Sequence, residues 1–486
     1  MSSENHKRIL FINTMFTVFQ TVIDKFLFFA INILVARYLD TSLFGEYTTS
    51  LAYATLFSTF ADIGIKSTLV RSISKERQNK DDHILNAFLL KTILAVIVYA
   101  AMSVSLLFMN YSAHVIYLVL IFGFVRIGNE YMNLFYAIYS AQERFIVQSV
   151  NNTLFSLALL VSTIIVILLK KNVYAFAFTR LAIVVFFILI LAFYTIREVK
   201  LKPNWKSMKS FLPQAYHFGL SAIYGNLYQR LNIVILSYMH GTISSGFFSN
   251  AYMIFSTLFF IPGNMSRVLI SHLYQYDHEK NPGKFQFAFD VYTKFLDILS
   301  IGISLPIFIF SSEIITLIYG KNYLPASGIL KITALAIPML FNISGMILTS
   351  VDKQDIRTKC QKYALIINII SNLVLIKFFG GEGAAYATVI TYFFLNQFYN
   401  LSLLKHIKIK FHSSIKNKCY ILSIAIILGL IEHLYPLPFN FIISCMILGF
   451  AYCILVYITI IAKKDLDIAR EVFGKIIPVK KYIFFG

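Results

Sequence analysis

Six charged side chains lie inside long apolar runs of this 486-residue chain. They are four cations and two carboxylates, namely Lys25, Arg126, Arg180, Arg230, Asp24 and Glu130. A charge at the centre of a membrane helix costs at least about 2.5–3.5 kcal/mol, so such a residue usually faces a cavity or a partner. The cations could hold an anionic headgroup, and the carboxylates could take up and release a coupling ion.

Asp24 and Lys25 are neighbours within the apolar run from Phe11 to Ala36. At 1.5 Å per residue, Lys25 lies roughly 20 Å from the start of that run. Neighbouring residues of a helix do not face each other, so these two charges cannot neutralise each other fully. We therefore expect each of them to meet another helix or water, and Lys25 to line a wet cavity.

Arg230 is the strongest candidate for a binding residue, because no acidic residue lies within one helical turn of it. The same stretch carries polar residues that cannot rest against lipid, namely Asn226, Gln229 and Asn232. Arg126 has Glu130 one turn further on, a spacing that also allows a self-contained ion pair. Arg180 lies near the predicted outer end of its helix and could instead reach the headgroups.

Structural roles are the alternative for these residues. All of the charges could be contacts between helices that hold no ligand. Lys91 and Asp62 lie near predicted inner helix ends, where we expect them to reach the membrane surface. Four tyrosines could stack on sugar rings if they face a cavity, namely Tyr131, Tyr136, Tyr224 and Tyr228, although interfacial belts explain most membrane tyrosines.

The composition is that of an integral membrane protein. Hydrophobic residues make up 58% of the chain and charged residues 14%, with a mean hydropathy of +0.71, whereas soluble proteins average about 25% charged residues. The net charge of +20 would suit nucleic acid, but the charges are placed as membrane topology requires, so no nucleic-acid partner is expected. The four cysteines form no C-x-x-C pair and are expected to be free thiols.

Fourteen stretches are apolar enough to cross a bilayer, for which a helix needs about 20 residues. They are approximately 11–36, 43–65, 85–109, 114–139, 148–169, 173–196, 216–239, 246–270, 291–311, 326–350, 362–379, 383–404, 418–435 and 438–462. Lys and Arg cluster in alternate connections, since residues 66–84 and 197–215 hold five each and residues 37–42 hold one. By the positive-inside rule, both termini are predicted to be cytoplasmic.

The connections between these stretches are short, about 20 residues at most, and leave no room for a soluble catalytic domain. The chain lacks the motifs of phosphate loops, zinc peptidases, nucleophile elbows and dinucleotide-binding turns. We therefore expect a transporter without a cofactor or a metal, not an enzyme. A membrane enzyme of glycan assembly, such as a polymerase, is an alternative, but it would usually carry a sizeable outer loop.

A short internal sequence repeat indicates that the chain consists of two halves. Tyr38–Tyr53 aligns with Met239–Ile254 at a constant offset, which places Thr41 on Thr242 and Gly45 on Gly246. We predict two six-helix bundles, residues 1–205 (the first half) and 206–405 (the second half), with two additional helices in 406–486. Six spans per half give both halves one orientation, so a pseudo-twofold axis runs along the membrane normal with a site between the halves.

Three segments resemble the polysaccharide biosynthesis proteins. "ILVARYLDTSLFGEYTTSLAYATLFSTFADIGI" (Ile33–Ile65) resembles the first-hairpin signature of that family. "IITLIYGKNYLPASGILKITAL" (Ile314–Leu335) is similar to the connection between the ninth and tenth spans, and "GGEGAAYATVITY" (Gly380–Tyr392) to the start of the twelfth helix. Their order and spacing fit the family of Wzx-type O-antigen and capsule flippases, within the superfamily that includes the MATE exporters.

The resemblance implies an all-α integral membrane protein of about fourteen transmembrane helices around a central, often cationic lumen. It implies movement of undecaprenyl-pyrophosphate-linked oligosaccharide from the inner to the outer leaflet of the bacterial inner membrane, beside polymerases and other glycan-assembly proteins. The assignment of Lys25, Arg126, Arg180 and Arg230 to the substrate, and of Asp24 and Glu130 to a coupling ion, comes from their depth alone. A MATE-like cation-coupled exporter is the main alternative, disfavoured by the arginines and the two additional spans.

Overall fold

The computed structural model describes residues 3–75, 80–196, 205–264, 282–407, 409–434 and 440–459, and these contain helices and no strand. The predicted all-α fold is thereby confirmed. The α-helices are α1 (Ser3–Tyr38), α2 (Thr41–Ser58), α3 (Ile65–Lys75), α4 (Lys80–Ser105), α5 (Ala113–Ala141), α6 (Phe145–Leu168), α7 (Val173–Ile196), α8 (Trp205–Thr257), α9 (Pro282–Ile309), α10 (Ser311–Tyr319), α11 (Ala326–Ala334), α12 (Ile337–Leu340), α13 (Ser344–Ser350), α14 (Gln354–His406), α15 (His412–Leu434) and α16 (Phe441–Thr459).

Several of these helices are long and apolar enough to cross a membrane. Seven pass on length and hydropathy, namely those that include α4, α5, α6, α7, α9, α14 and α16. Residues 326–350, predicted as one span, form a pair bent by 49° between Ala334 and Ile337, which would make an eighth. The chain is therefore a multi-pass membrane protein, while the count of fourteen spans stays a prediction.

Two of the longest helices contain glycines at which the chain turns back. Gly241 (φ 82°) interrupts α8 and Gly380 (φ 53°) interrupts α14, and these positive φ values suit a residue without a Cβ. A Cβ on Gly383 would overlap the carbonyl group of Leu375, so the two arms of α14 fold against each other. Each helix thus supplies two of the predicted spans.

The predicted halves meet closely near the predicted outer end, at the two glycines matched in the repeat. A Cβ on Gly45 would overlap the carbonyl oxygen of Thr242, and one on Gly246 would lie 2.9 Å from Cα of Gly45 and 3.6 Å from the carbonyl oxygen of Thr41. Applying the repeat offset turns one contact into the other. Such reciprocity is what an axis between α2 and the second arm of α8 would produce.

Tyrosines fasten the same end of the molecule. The Tyr323 hydroxyl donates a hydrogen bond of 2.7 Å to the carbonyl oxygen of Ala36, and the hydroxyls of Tyr111 and Ser237 share one of 2.7 Å. Ala36 and Ser237 are matched by the repeat offset. Arg37 adds hydrogen bonds from its guanidinium to the carbonyl oxygens of Leu317 and Ile318, in the last turn of α10. A cation at a helix C-terminus is favoured by the helix dipole.

The two helices that follow residue 406 pack against α9. Lys418 Nζ of α15 lies 3.0 Å from Asp297 Oδ1, and the Tyr452 hydroxyl of α16 donates a 2.8 Å hydrogen bond to the carbonyl oxygen of Ile298. These helices therefore attach to the second half alone in the contacts described. The predicted cytoplasmic tail after residue 460 lies outside the described residues.

A buried amide network holds α8 to both arms of α14. The Asn232 amide donates to Thr388 Oγ1 at 2.7 Å, and its carbonyl oxygen accepts from Asn368 and Asn372 at 3.1 and 2.8 Å. All three asparagines have no solvent exposure. Asn232 lies two residues after Arg230, so this network fixes the rotation of α8 and with it the direction of Arg230.

Replacement of Asn232 tests that role. Asn232→Ala removes three interhelical hydrogen bonds, and we expect the free energy of unfolding to fall by about 2 kcal/mol. Thermal unfolding of the purified protein in detergent measures the change. Asn226→Ala, at an exposed position of the same helix, is the matched control and should leave the midpoint unchanged. Equal midpoints for both variants would contradict the role given to the network.

Candidate functional site

The four cations predicted for substrate binding converge from four different helices. Lys25 lies on α1, Arg126 on α5, Arg180 on α7 and Arg230 on α8. Arg126 interacts electrostatically with both Arg180 and Arg230, and Lys25 interacts with Arg230. Because Arg230 comes from the predicted second half and the others from the first, the positive charges meet between the halves.

Water-accessible space remains beside these cations although they lie inside their helices. Lys25 is exposed, while Arg126 and Arg230 are partly exposed. Side chains on α1, α5 and α8 that interact electrostatically with one another cannot all point outward to lipid. We infer that their accessible surface faces a space between the helices, which we call the cationic cavity and define by Lys25, Arg126, Arg180 and Arg230.

Arg126 keeps a donor that no described residue accepts. Its Nε atom is buried and has no hydrogen-bond partner among the residues that the structure describes. Glu130, one turn on, shares an electrostatic interaction with Arg126, but its Oε2 accepts a hydrogen bond from Lys91. The self-contained pair of Arg126 and Glu130 therefore does not form as a direct ion pair. An anion in the cationic cavity could accept from Arg126.

Arg180 is held inside the first half. Its guanidinium carbon lies 5.4 Å from the centroid of the Tyr47 ring, a distance typical of a cation–π contact. Tyr47 is only 2% exposed and sits in the hydrophobic core. This contact and the interaction with Arg126 direct Arg180 toward the cationic cavity, although the sequence also allowed it to reach the headgroups.

Asp24 and Lys25 point in different directions, as expected for helical neighbours. Asp24 accepts a hydrogen bond from Gln20 one turn earlier and interacts with Ser156 on α6, while Lys25 faces Arg230. The carboxylate is thus partly compensated by the polar face between α1 and α6. The Lys25 ammonium group contributes its charge to the cationic cavity.

Lys91 is a buried ion-pair centre that the sequence interpretation missed. It has no solvent exposure, and its Nζ lies 2.7 Å from Asp62 Oδ1 and 3.1 Å from Glu130 Oε2. The interpretation that Lys91 reaches the membrane surface from a helix end is therefore wrong. Lys91 lies well inside α4, more than three turns from its start at Lys80, and that depth was the signal that could have identified it.

Three further polar residues expected beside a ligand lie in the protein interior. Asn232 belongs to the buried amide network. Tyr136 is 3% exposed and donates a 2.6 Å hydrogen bond to Asn151 Oδ1, and Tyr228 is 8% exposed and packs edge-on against Tyr392. These two tyrosines support the packing of their own halves and do not line the cationic cavity.

Among the described residues, no group of three or more histidines, cysteines and carboxylates could hold a metal ion. The four cysteines all have free thiols. The charge of the cationic cavity is carried by lysine and arginine, the residue types that pair with anions.

Comparisons with known proteins connect this geometry to a family. The model of a family described as "Polysaccharide biosynthesis protein" matches residues 10–266, more than half of the chain. The chain is 22% identical over 261 residues to the "Probable low-salt glycan biosynthesis flippase Agl15" of Haloferax volcanii. That match covers 53% of this chain and 55% of the relative, so the chain spans about half the length of the curated relative it matches.

Solved structures of transporters share the fold. The lipid II flippase MurJ, in an inward closed conformation, superposes with a TM-score of 0.76 at 15% identity, covering 91% of this chain and 98% of that one. An inward-facing multidrug resistance MATE family transporter of the MOP superfamily gives 0.64 at 14% identity, covering 80% and 94%. At these identities the likeness establishes the fold alone.

Proposed function

The chain belongs to the polysaccharide biosynthesis protein family, and from that premise we propose that it moves an undecaprenyl-pyrophosphate-linked oligosaccharide across the membrane. The proposed direction is from the inner to the outer leaflet of a bacterial inner membrane. Because a relative and the structural neighbours are named as flippases and transporters, the proposed role is that of a transporter and not of an enzyme.

One observation carries the proposal: cations from both predicted halves converge between them. A pyrophosphate group carries several negative charges in a small volume, and arginine guanidinium groups bind phosphate oxygens with directed hydrogen bonds. Lys25, Arg126, Arg180 and Arg230 would hold the pyrophosphate, while the sugars cross within the cavity and the lipid tail stays in the bilayer. Cationic drugs would be repelled by this set, which disfavours the exporter alternative.

In alternating access, a substrate shifts the equilibrium toward the conformation that binds it more tightly. Lys25, Arg126 and Arg180 lie in the predicted first half, and Arg230 lies in the second. An anion bridging Arg126 and Arg230 would draw the halves together around it, offsetting the repulsion between these like charges. In this proposal the loaded and empty states therefore differ in the separation of the halves.

Binding can be measured without transport. We expect inorganic pyrophosphate to raise the thermal unfolding midpoint of the purified protein in detergent, because a ligand that binds only the folded state stabilises it by mass action. Arg126→Met combined with Arg230→Met should abolish that rise. Lys75→Met, at an exposed position of α3, should retain it. A rise that persists in the double variant would place the anion elsewhere.

Transport can be tested in the bacterium that carries the gene. In a deletion strain, a membrane-impermeant glycan probe applied to right-side-out and inverted vesicles should find the lipid-linked repeat unit only on the cytoplasmic face. Single repeat units on the outer face would indicate a polymerase. No accumulation at all would favour the exporter.

Complementation of that strain tests the strongest single cation. We expect Arg230→Ala to abolish surface glycan while the protein still inserts in the membrane, because Arg230 is the member of the four-cation set that comes from the second half. Arg230→Lys should restore part of the function, and Lys171→Ala, at an exposed position, should behave as wild type. Membrane fractionation and surface glycan staining are the measurements. Normal glycan in Arg230→Ala would refute the role of the cationic cavity.

A further inference from the structure

The ion pairs of Lys91 join three separate elements of the first half. Lys91 belongs to α4, Glu130 to α5, and Asp62 to the connection between α2 and α3. One ammonium therefore faces two carboxylates, and it has no contact with solvent. Lys66, on α3, also interacts electrostatically with Asp62 and Glu130. Removing one partner from such a buried arrangement leaves a charge uncompensated, so its members depend on one another.

Asp62 lies at a break in the chain. A short 3₁₀ helix ends at Ala61, and the next residues after Asp62 have positive φ angles, 35° at Ile63 and 84° at Gly64. A β-branched residue at positive φ is unfavourable and is kept only where its surroundings require it. The helix then restarts at Ile65, whose amide donates a 2.7 Å hydrogen bond to the Asp62 carbonyl oxygen.

The same break touches the predicted second half. A Cβ on Gly219 of α8 would overlap the carbonyl carbon of Ile63 and lie 2.5 Å from the nitrogen of Gly64. The two backbones are therefore in direct contact, on the side of the molecule away from the Gly45–Gly246 contact. We call the residues Asp62, Ile63, Gly64 and Gly219 the inner contact, since they lie toward the predicted inner end.

Glu130 connects this arrangement to the cationic cavity. Arg126 and Glu130 lie one turn apart on α5 and interact electrostatically. Glu130 is thus shared between Arg126, which lines the cavity, and Lys91, which holds Asp62. A line of alternating charges runs from the cavity through Arg126, Glu130 and Lys91 to Asp62 at the inner contact.

We propose that Lys91 is a positioning residue that couples occupation of the cationic cavity to the inner contact. With the cavity empty, Arg126 attracts Glu130, and Lys91 is free to hold Asp62 in the conformation that presents Ile63 and Gly64 to Gly219. An anion that binds Arg126 compensates its positive charge, so Arg126 attracts Glu130 less. Glu130 then draws more strongly on Lys91 and Lys66, so the hold of Lys91 on Asp62 weakens and the strained break can relax. The ligand part of this inference rests on the proposed function.

Thr68 offers a reporter for the inner contact. It lies on α3 one turn after Gly64, is completely buried, and its hydroxyl has no hydrogen-bond partner among the described residues. Thr68→Cys is therefore a small change. In a background with the four native cysteines replaced by serine, reaction of the thiol introduced at this position with a maleimide measures opening of α3 from α8 and its neighbours.

The experiment compares four proteins that carry this reporter: the parent, Lys91→Met, Glu130→Gln and Asp62→Asn, each with and without inorganic pyrophosphate. We expect pyrophosphate to speed labelling of the parent. Lys91→Met and Asp62→Asn should label about tenfold faster or more without any ligand, since the hold on the break is lost. Glu130→Gln should label slowly, and pyrophosphate should not change its labelling rate. Its neutral amide no longer competes with Asp62 for Lys91 and no longer attracts Arg126.

Lys91→Arg should recover slow labelling, and Lys75→Met should match the parent throughout. A purely structural role for the ion pairs predicts faster labelling in all three charge variants, so fast labelling of Glu130→Gln would overturn the coupling. Labelling of Lys91→Met at the parent rate in the absence of any ligand would also overturn the coupling. If pyrophosphate does not stabilise the parent at all, the proposed function fails. If pyrophosphate binds Lys91→Met and changes its labelling rate as it does in the parent, the coupling alone is refuted.

Discussion

Charge inside an apolar bundle is the constraint from which the rest of this structure follows. Each charged group in the middle of a membrane helix costs several kcal/mol unless water, a partner or a ligand compensates it. The chain answers this differently in its two regions. Lys91, Asp62 and Glu130 compensate one another as ion pairs, whereas Lys25, Arg126 and Arg230 bring like charges toward one another. The first arrangement is compensated by its own members, and under the proposed function the second is compensated by an anionic substrate.

The contacts between the predicted halves differ in kind at the two ends of the bundle. Near Gly45 and Gly246 the backbones touch and tyrosine and arginine side chains add hydrogen bonds across the interface. At the other end, Gly219 of the second half contacts the break at Ile63 and Gly64 of the first half, beside the buried ion pair of Lys91 and Asp62. One end is therefore held by backbone contact and by hydrogen bonds to main-chain carbonyl groups, and the other lies beside buried ion pairs. Under the proposed function, such an asymmetry suits a transporter whose inner end responds first when an anion binds.

The sequence was sufficient for the fold class and the family, because runs of apolar residues and short motifs are one-dimensional properties. Which face of a helix a residue occupies depends on its neighbours in space. Asn232 was interpreted as part of a polar face beside Arg230, but its partners Asn368 and Thr388 come from distant parts of the chain. Lys91 was misplaced for the same reason, since Asp62 and Glu130 are far from it in sequence. Tyr136 likewise met Asn151 in the interior.

The hydrogen bonds near the predicted outer end determine which positions there tolerate substitution. Arg37 and Tyr323 donate to the main-chain carbonyl oxygens of Leu317, Ile318 and Ala36, and a carbonyl oxygen is present whatever side chain the acceptor residue carries. Substitutions at these acceptor positions leave the hydrogen bonds in place, provided the helix still ends where it does. Of the residues in these hydrogen bonds, the two donors are tied to their identity, and Gly45 and Gly246 are tied to theirs because a Cβ there would collide with the opposite half. The three hydrogen bonds to main-chain oxygens therefore constrain two positions of the sequence and not the five that take part in them.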